Sequence, residues 1–178
     1  MIIRHTRSED LEQICQIYAC ARDRMRREGN PSQWGDDRPP ISVLMQDIRN
    51  GCSYILEEQG RPCGVFSFII GDDPTYQLIE NGHWLNKAPY GTIHRIAGNG
   101  SVKGIFRACL SYCLSQIPNI RIDTHRDNLT MQHLLAKNGF VRCGIIHVED
   151  GSERLAYQKD KFGVSPSDLQ FPDFPSQL

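Results

Sequence analysis

Apolar residues at Leu11, Ile14, Cys15, Tyr18 and Met25 fall near one face at helical spacing, with charged residues between them. That pattern predicts an amphipathic helix opened by Ser8-Glu-Asp and closed by Gly29-Asn-Pro. Met1 to Thr6 reads as a short strand before it. Asn30 to Pro40 reads as a loop carrying Trp34, and Ile41 to Arg49 as a second helix stopped at Asn50-Gly51. The period then changes. Cys52 to Glu57 and Pro62 to Ile70 are two strands turning at Gln59-Gly60, a hairpin. Gly71 to Pro89 is polar and irregular, longer than most connections. Tyr90 to Ala97 is a strand, and Gly98 to Gly104 is glycine-rich. Ile105 to Gln116 is helical with Phe106, Cys109, Leu110, Cys113 and Leu114 as its buried stripe, and Ile120 to Thr124 is a strand. Asn128 caps a helix ending near Asn138-Gly139. Phe140 to His147 and Arg154 to Gln158 form a last hairpin around Asp150-Gly151. Strands interleaved with helices in this order predict an α/β domain around one mixed sheet over residues 1–160, followed by an extended Pro-, Ser- and Phe-rich tail over 161–178.

The chain has 178 residues, enough for one domain that folds without staples. Twenty basic against 21 acidic side chains leave a formal charge of -1, which provides no electrostatic footprint for nucleic acid. Seven cysteines stand at irregular gaps with no CxxC pair, matching neither a zinc site nor a disulfide framework. We therefore expect no metal. No apolar stretch suggests a signal peptide or membrane span, and reduced thiols fit a cytoplasmic location.

Two segments carry chemistry. The glycine-rich turn before Ile105 places free backbone N–H groups and a positive helix end where a phosphate can sit, with Lys103 adding charge. The alternative is that the turn needs its glycines only to turn. Gly98, Gly100 and Gly104 miss the dinucleotide pattern GxGxxG by one residue, and no GxxxxGK[ST] is present. The second segment runs from Asp123-Thr-His-Arg-Asp-Asn128 through Met131, Leu134 and Leu135 to Lys137-Asn-Gly-Phe140.

Taken with Ile93-His-Arg-Ile-Ala and Ser101-Val-Lys-Gly104, these segments resemble the GNAT superfamily of acetyl-CoA-dependent N-acetyltransferases. The resemblance implies a mixed, splayed sheet of about six to seven strands flanked by four helices. It also implies acetyl-CoA as co-substrate, with pantetheine between the Ile93–Gly98 and Ile120–Thr124 strands. Ile96, Ala97 and Gly98 would then bind the pantetheine amides and thioester, and Val102, Lys103, Gly104, Ile105 and Phe106 the pyrophosphate. Asn128 would reach the CoA arm, with Leu134 and Leu135 lining it. This sequence departs from the family pattern in the loop, where Ser101 and Phe106 replace the usual first and last residues. It also departs at Thr92, where many members carry a catalytic Glu, and at Leu135, where a Tyr acid is frequent.

An alkylamine titrates near ~10.4 and so needs a base at pH 7, and an imidazole, titrating near ~6.5, is suited to be one. Side-chain alternation puts His94 on the same strand face as Thr92, so His94 is the first candidate base. His125, with Asp123, is the second. Each has a plainer alternative, packing in the sheet for His94 and shaping a turn for His125. Gln33, Trp34, Tyr76 and Trp84, in Gly- and Pro-bearing loops, are the candidates for an acceptor pocket, with loop anchoring as the alternative for the two tryptophans. The expected activity is N-acetylation of a small-molecule primary amine by direct attack. A non-catalytic acyl-CoA-binding or interaction module is the competing reading. Exposed edge strands and the Phe-bearing tail make a homodimer the expected assembly.

Overall fold

Residues 1–161 are described in the structure, a computed structural model. The expected tail beyond Lys161 lies outside them. Successive residues of a strand face opposite sides of a sheet, and in the central strands both sides are apolar. Ile55 and Val65 enter one core; Leu56 and Phe66 enter the other. Such strands require cover on both faces. The elements are β1 (Ile2–His5), α1 (Leu11–Arg27), α2 (Ile41–Arg49), β2 (Ser53–Glu58), β3 (Arg61–Ile70), β4 (Gly91–Gly98), α3 (Ile105–Gln116), β5 (Asn119–Thr124), α4 (Leu129–Lys137), β6 (Val141–His147) and β7 (Glu153–Asp160). They form one seven-stranded sheet in the order β1-β2-β3-β4-β5-β7-β6, within the predicted count.

On one face α1 buries Ile14, Ile17, Tyr18 and Ala21, and α2 buries Leu44, against Ile55, Val65 and Ala97. Full burial of an Ile such as Ile14 contributes about 1.5–3 kcal/mol. On the other face Phe106, Cys109, Leu110 and Cys113 of α3, with Leu135 of α4, pack on Phe66, Phe68, Ile93, Ile120 and Ile122. Four helices flank the sheet, as predicted.

The element ends differ from the sequence reading for local reasons. Ser8-Glu-Asp makes a 3-10 turn and α1 begins at Leu11, because Asp10 is held by Arg4 through two bonds of 2.7 and 2.9 Å. β7 runs to Asp160 because β5 pairs with it along its whole length. Within the long connection, Asp73 caps a 3-10 turn over Pro74–Tyr76. Glu80 then bonds Ile145 of β6 in both directions at 2.8 Å, so the connection crosses to the far end of the sheet.

All neighbouring strands are antiparallel except β4 and β5. This parallel pair is in register only at Gly91↔Ile120 and Thr92↔Arg121; beyond that the strands part. The parting coincides with a β-bulge. Ser67 faces His94 and Val65 faces Ala97, so the single residue Phe66 spans both Arg95 and Ile96. An extra residue in one strand bends it and sharpens its twist. Arg95 carries the strain at φ 53°, held by two hydrogen bonds of 2.9 and 3.0 Å to Asp47 of α2 and by Tyr18, whose hydroxyl donates to its carbonyl at 2.8 Å.

Candidate active site

The gap between β4 and β5 opens into a cavity of about 810 Å³. One wall is β4. Backbone groups of neighbouring strand residues point alternately to either side, and the Asn99 amide donates to Cys63 of β3. The peptide groups of Gly98 and Ile96 are therefore directed at the gap. The floor is the start of α3. Gly104 precedes it at φ 88°, and the first N–H groups of a helix lack intrahelical acceptors. Phe106 turns its ring into the core, 6% exposed and 6.2 Å from Phe140, which leaves its amide at the cavity end. Lys103, Arg107, Lys137 and Arg24 add positive charge to this end. A Cβ at Gly100 would stand 2.5 Å from the Arg24 guanidinium, so that position cannot carry a side chain without displacing the arginine.

Across the cavity, the Asn128 carboxamide caps α4 by accepting from the Met131 amide at 3.0 Å, and it donates to Gln33 at 2.9 Å. Gln33 also accepts from Asn30 at 2.8 Å. These bonds draw the α1–α2 loop, with Trp34, over the cavity.

At the other end lies a polar group of side chains. His94 Nε2 is 2.8 Å from Asp73 Oδ2. Burial alone would raise the Asp73 carboxyl, but hydrogen bonds from His94 and Thr75 outweigh it and bring it to about 2. Asp73 is thus an anion at neutral pH and accepts the Nε2 proton, which leaves Nδ1 as the unprotonated nitrogen of a neutral His94. The Tyr76 ring meets His94 edge-on at 5.9 Å, and its hydroxyl donates to Asp123 Oδ1 at 2.6 Å. Burial, then the charge of Asp123, pushes the Tyr76 phenol well above its usual value, so it stays a donor.

Of the residues singled out from the sequence, Ile96, Ala97, Gly98, Val102, Lys103, Gly104, Ile105, Phe106, Asn128 and Leu134 line the cavity, with His94, Asp123, Gln33 and Trp34. Leu135 is wholly buried in the core. His125 is not on the cavity wall; its Nδ1 accepts the Asp127 amide at 3.2 Å, and burial lowers its pKa. Tyr76 and Trp84 stack at 5.5 Å in a core cluster with Tyr90 and Ile146 and do not line the cavity either. Asp73, Arg154 and Thr124 were not singled out. Asp73-Pro-Thr reads as a cap, but its pairing with His94 spans 21 residues and leaves no local trace.

Comparison with known proteins agrees with this architecture. The family model described as "Acetyltransferase (GNAT) domain" matches residues 1–141. An acetyltransferase of the GNAT family from Streptococcus agalactiae 2603 is 32% identical, with a TM-score of 0.81 over 90% of this chain and 95% of that one. A putative acetyltransferase from Staphylococcus aureus Mu50 shares 24% identity and a TM-score of 0.67 over 90% and 99%. A putative acetyltransferase from Salmonella typhimurium, solved with its cofactor acetyl-CoA, has the same fold at 16% identity and TM-score 0.59 over 97% and 98%. No curated protein matches the chain. Fold and site define an acyltransferase of the α/β class. The chain belongs to the GNAT acetyltransferase family.

Proposed function

We propose that this protein transfers the acetyl group of acetyl-CoA to a primary amine of a small molecule by direct attack. The observation that carries the reading is the parting of β4 from β5 after two rungs, which leaves strand-edge peptide groups facing a cavity that ends on a helix N-terminus. The residues present fit acetyl-CoA. Unpaired amides at the start of α3, with Lys103 and Arg107, suit a pyrophosphate. The peptide groups of Ile96 and Gly98 suit the pantetheine amides, and apolar Leu134 suits its arm. Bound there, acetyl-CoA supplies the activated acyl carbon.

His94 Nδ1 takes the proton of the acceptor ammonium, directly or through one water, and Asp73 holds the ring in the tautomer that permits this. The amine nitrogen then forms a bond to the acyl carbon as the C–S bond breaks. The Gly98 amide lies where a preorganised donor stabilises charge growing on the carbonyl oxygen. With Leu135 buried and no tyrosine in its place, the second proton lost by the attacking nitrogen passes through water to the departing thiolate. His94 on the cavity wall, backed by Asp73, favours catalysis over a binding-only module. The enzyme works in the cytoplasm, where its seven free thiols remain reduced. It pairs as a homodimer through the exposed sheet edge at β1.

Thiol release from acetyl-CoA with an amine panel tests the reading. Turnover is expected with wild type, and His94→Ala should lose about 10²–10⁴ in kcat with acetyl-CoA affinity retained. Tight acetyl-CoA binding without turnover on any amine would support the binding module instead.

A further inference from the structure

The polar end of the cavity contains more than a proton acceptor. Arg154, only 8% exposed, lines the cavity. Its Nη1 is spent on Ser152 Oγ at 2.8 Å and the Glu153 carbonyl at 3.0 Å, and its Nε lies 3.8 Å from Asp123 Oδ2. No acceptor among the described residues takes Nη2. Arg95, the other arginine here, is consumed by Asp47. Asp123 has Oδ1 bonded by Tyr76 and Oδ2 facing only the loose contact with Arg154. Asp123 and Arg154 project from neighbouring strands, β5 and β7, on the sheet face that carries Tyr76, so both charges stand at one end of the cavity.

An open arginine donor and an open carboxylate oxygen, 3.8 Å apart at their nearest atoms, are the charge complement of a zwitterion whose cationic and anionic groups sit on one carbon. We infer that the acceptor is a free α-amino acid, its carboxylate held by Arg154 and its ammonium received by Asp123 beside His94. This deepens the acetyl-transfer reading and rests on it. The α-ammonium gives one proton to His94, and the nitrogen bonds the acyl carbon as the thioester C–S bond breaks. Its second proton passes through water to the CoA thiolate, leaving an N-acetyl amino acid and free CoA. A peptide N-terminus, an amino acid amide or a bare alkylamine lacks the anion and leaves Arg154 unanswered.

The test compares each proteinogenic amino acid with its α-amide and its decarboxylated amine, by initial rates with acetyl-CoA, beside acetyl-CoA titration calorimetry. At least one acid is expected to exceed its amide and amine in kcat/KM by on the order of 100-fold or more, because a site built to bond a group rejects the analogue without it. Arg154→Gln should cut that ratio at least tenfold. Should that variant fail to fold, Arg154→Lys keeps the charge without the planar fork and should raise KM for the acid well beyond any change in kcat. Equal rates on acids and amides, or a ratio unmoved in both variants, overturns the inference and leaves acetyl transfer standing. Acetyl-CoA binding with no turnover on any of the compounds also overturns it. Loss of acetyl-CoA binding in wild type overturns the reading beneath it.

Discussion

His94 and Asp73 work as a unit because one atom of each is committed to the other, Nε2 to Oδ2 at 2.8 Å. Asp73→Asn keeps the shape but removes the charge, and the amide oxygen can still accept the Nε2 proton. We expect kcat to fall by about tenfold or more, less than in His94→Ala. The same carboxyl gives a stability prediction with a definite sign. Its pKa falls from 3.8 to about 2 on folding, so its contribution is complete above pH 4 and is lost as pH drops toward 2. Urea midpoints of wild type and Asp73→Asn should differ at pH 5 and converge through that window. A gap that persists at pH 2 would refute the assignment.

The bulge in β4 is the element that makes the cavity, and it stands on an interaction far along the chain. A non-glycine residue at φ 53° costs about 1–2 kcal/mol, and here the cost is offset by the Arg95–Asp47 pair, whose carboxylate also accepts the Ser67 hydroxyl at 2.6 Å. Arg95→Ala leaves the buried Asp47 charge with only the Ser67 hydroxyl and the weak Cys52 thiol donor, and should destabilise the fold by about 3 kcal/mol in chemical denaturation. With β4 freed to straighten, acetyl-CoA affinity by calorimetry should fall as well. This contact also explains which parts of the molecule were legible in the sequence. The helices and strands could be read because periods of 3.6 and 2 are written locally in residues such as Ile14, Ile17 and Tyr18. Cavity walls made of backbone, at Gly98 and Gly104, could be located because glycine and helix starts mark themselves. Nothing local marks Arg95 as more than a strand residue, since its partner Asp47 is 48 residues upstream. Tyr76 and Trp84 suggested a ligand because aromatics in a polar loop look exposed, whereas the Glu80–Ile145 bridge folds that loop onto β6 and buries Tyr76. Asp73 and Arg154 acquire meaning only when the chain brings them to His94 and Asp123.

Across the whole molecule, the two halves of the sheet meet along two rungs between β4 and β5. Below the parting they share the core under α3 and the Gly71–Pro89 connection laid on β5, β6 and β7. Across the parted side the ties are polar, among them Gln33 with Asn128 at 2.9 Å, Glu28 with Thr130 at 2.9 Å and Arg38 with Asp150 at 2.8 Å. Ion pairs and hydrogen bonds this exposed contribute little each, about 0–1 kcal/mol. A ligand seated between β4 and β5 touches both halves at once, so acetyl-CoA should act as the missing rungs. At one hundred times its Kd it adds about 2.7 kcal/mol. For a domain of this size that is a rise in Tm of about 5–10 °C. Hydrogen exchange distinguishes this clamp from simple ligand linkage. Protection should increase along β4 beyond Thr92, at the start of α3 and in the Asn30–Pro40 loop, while β2 and β3, already paired on both sides, change least. Gln33→Ala removes the tie between loop and α4 and should weaken acetyl-CoA binding several-fold through faster release, with the Tm of the free protein within about 2 °C of wild type. Uniform protection on binding, without a focus on the parted strands and the loop above them, would show that the halves are already locked and that the ligand bridges nothing.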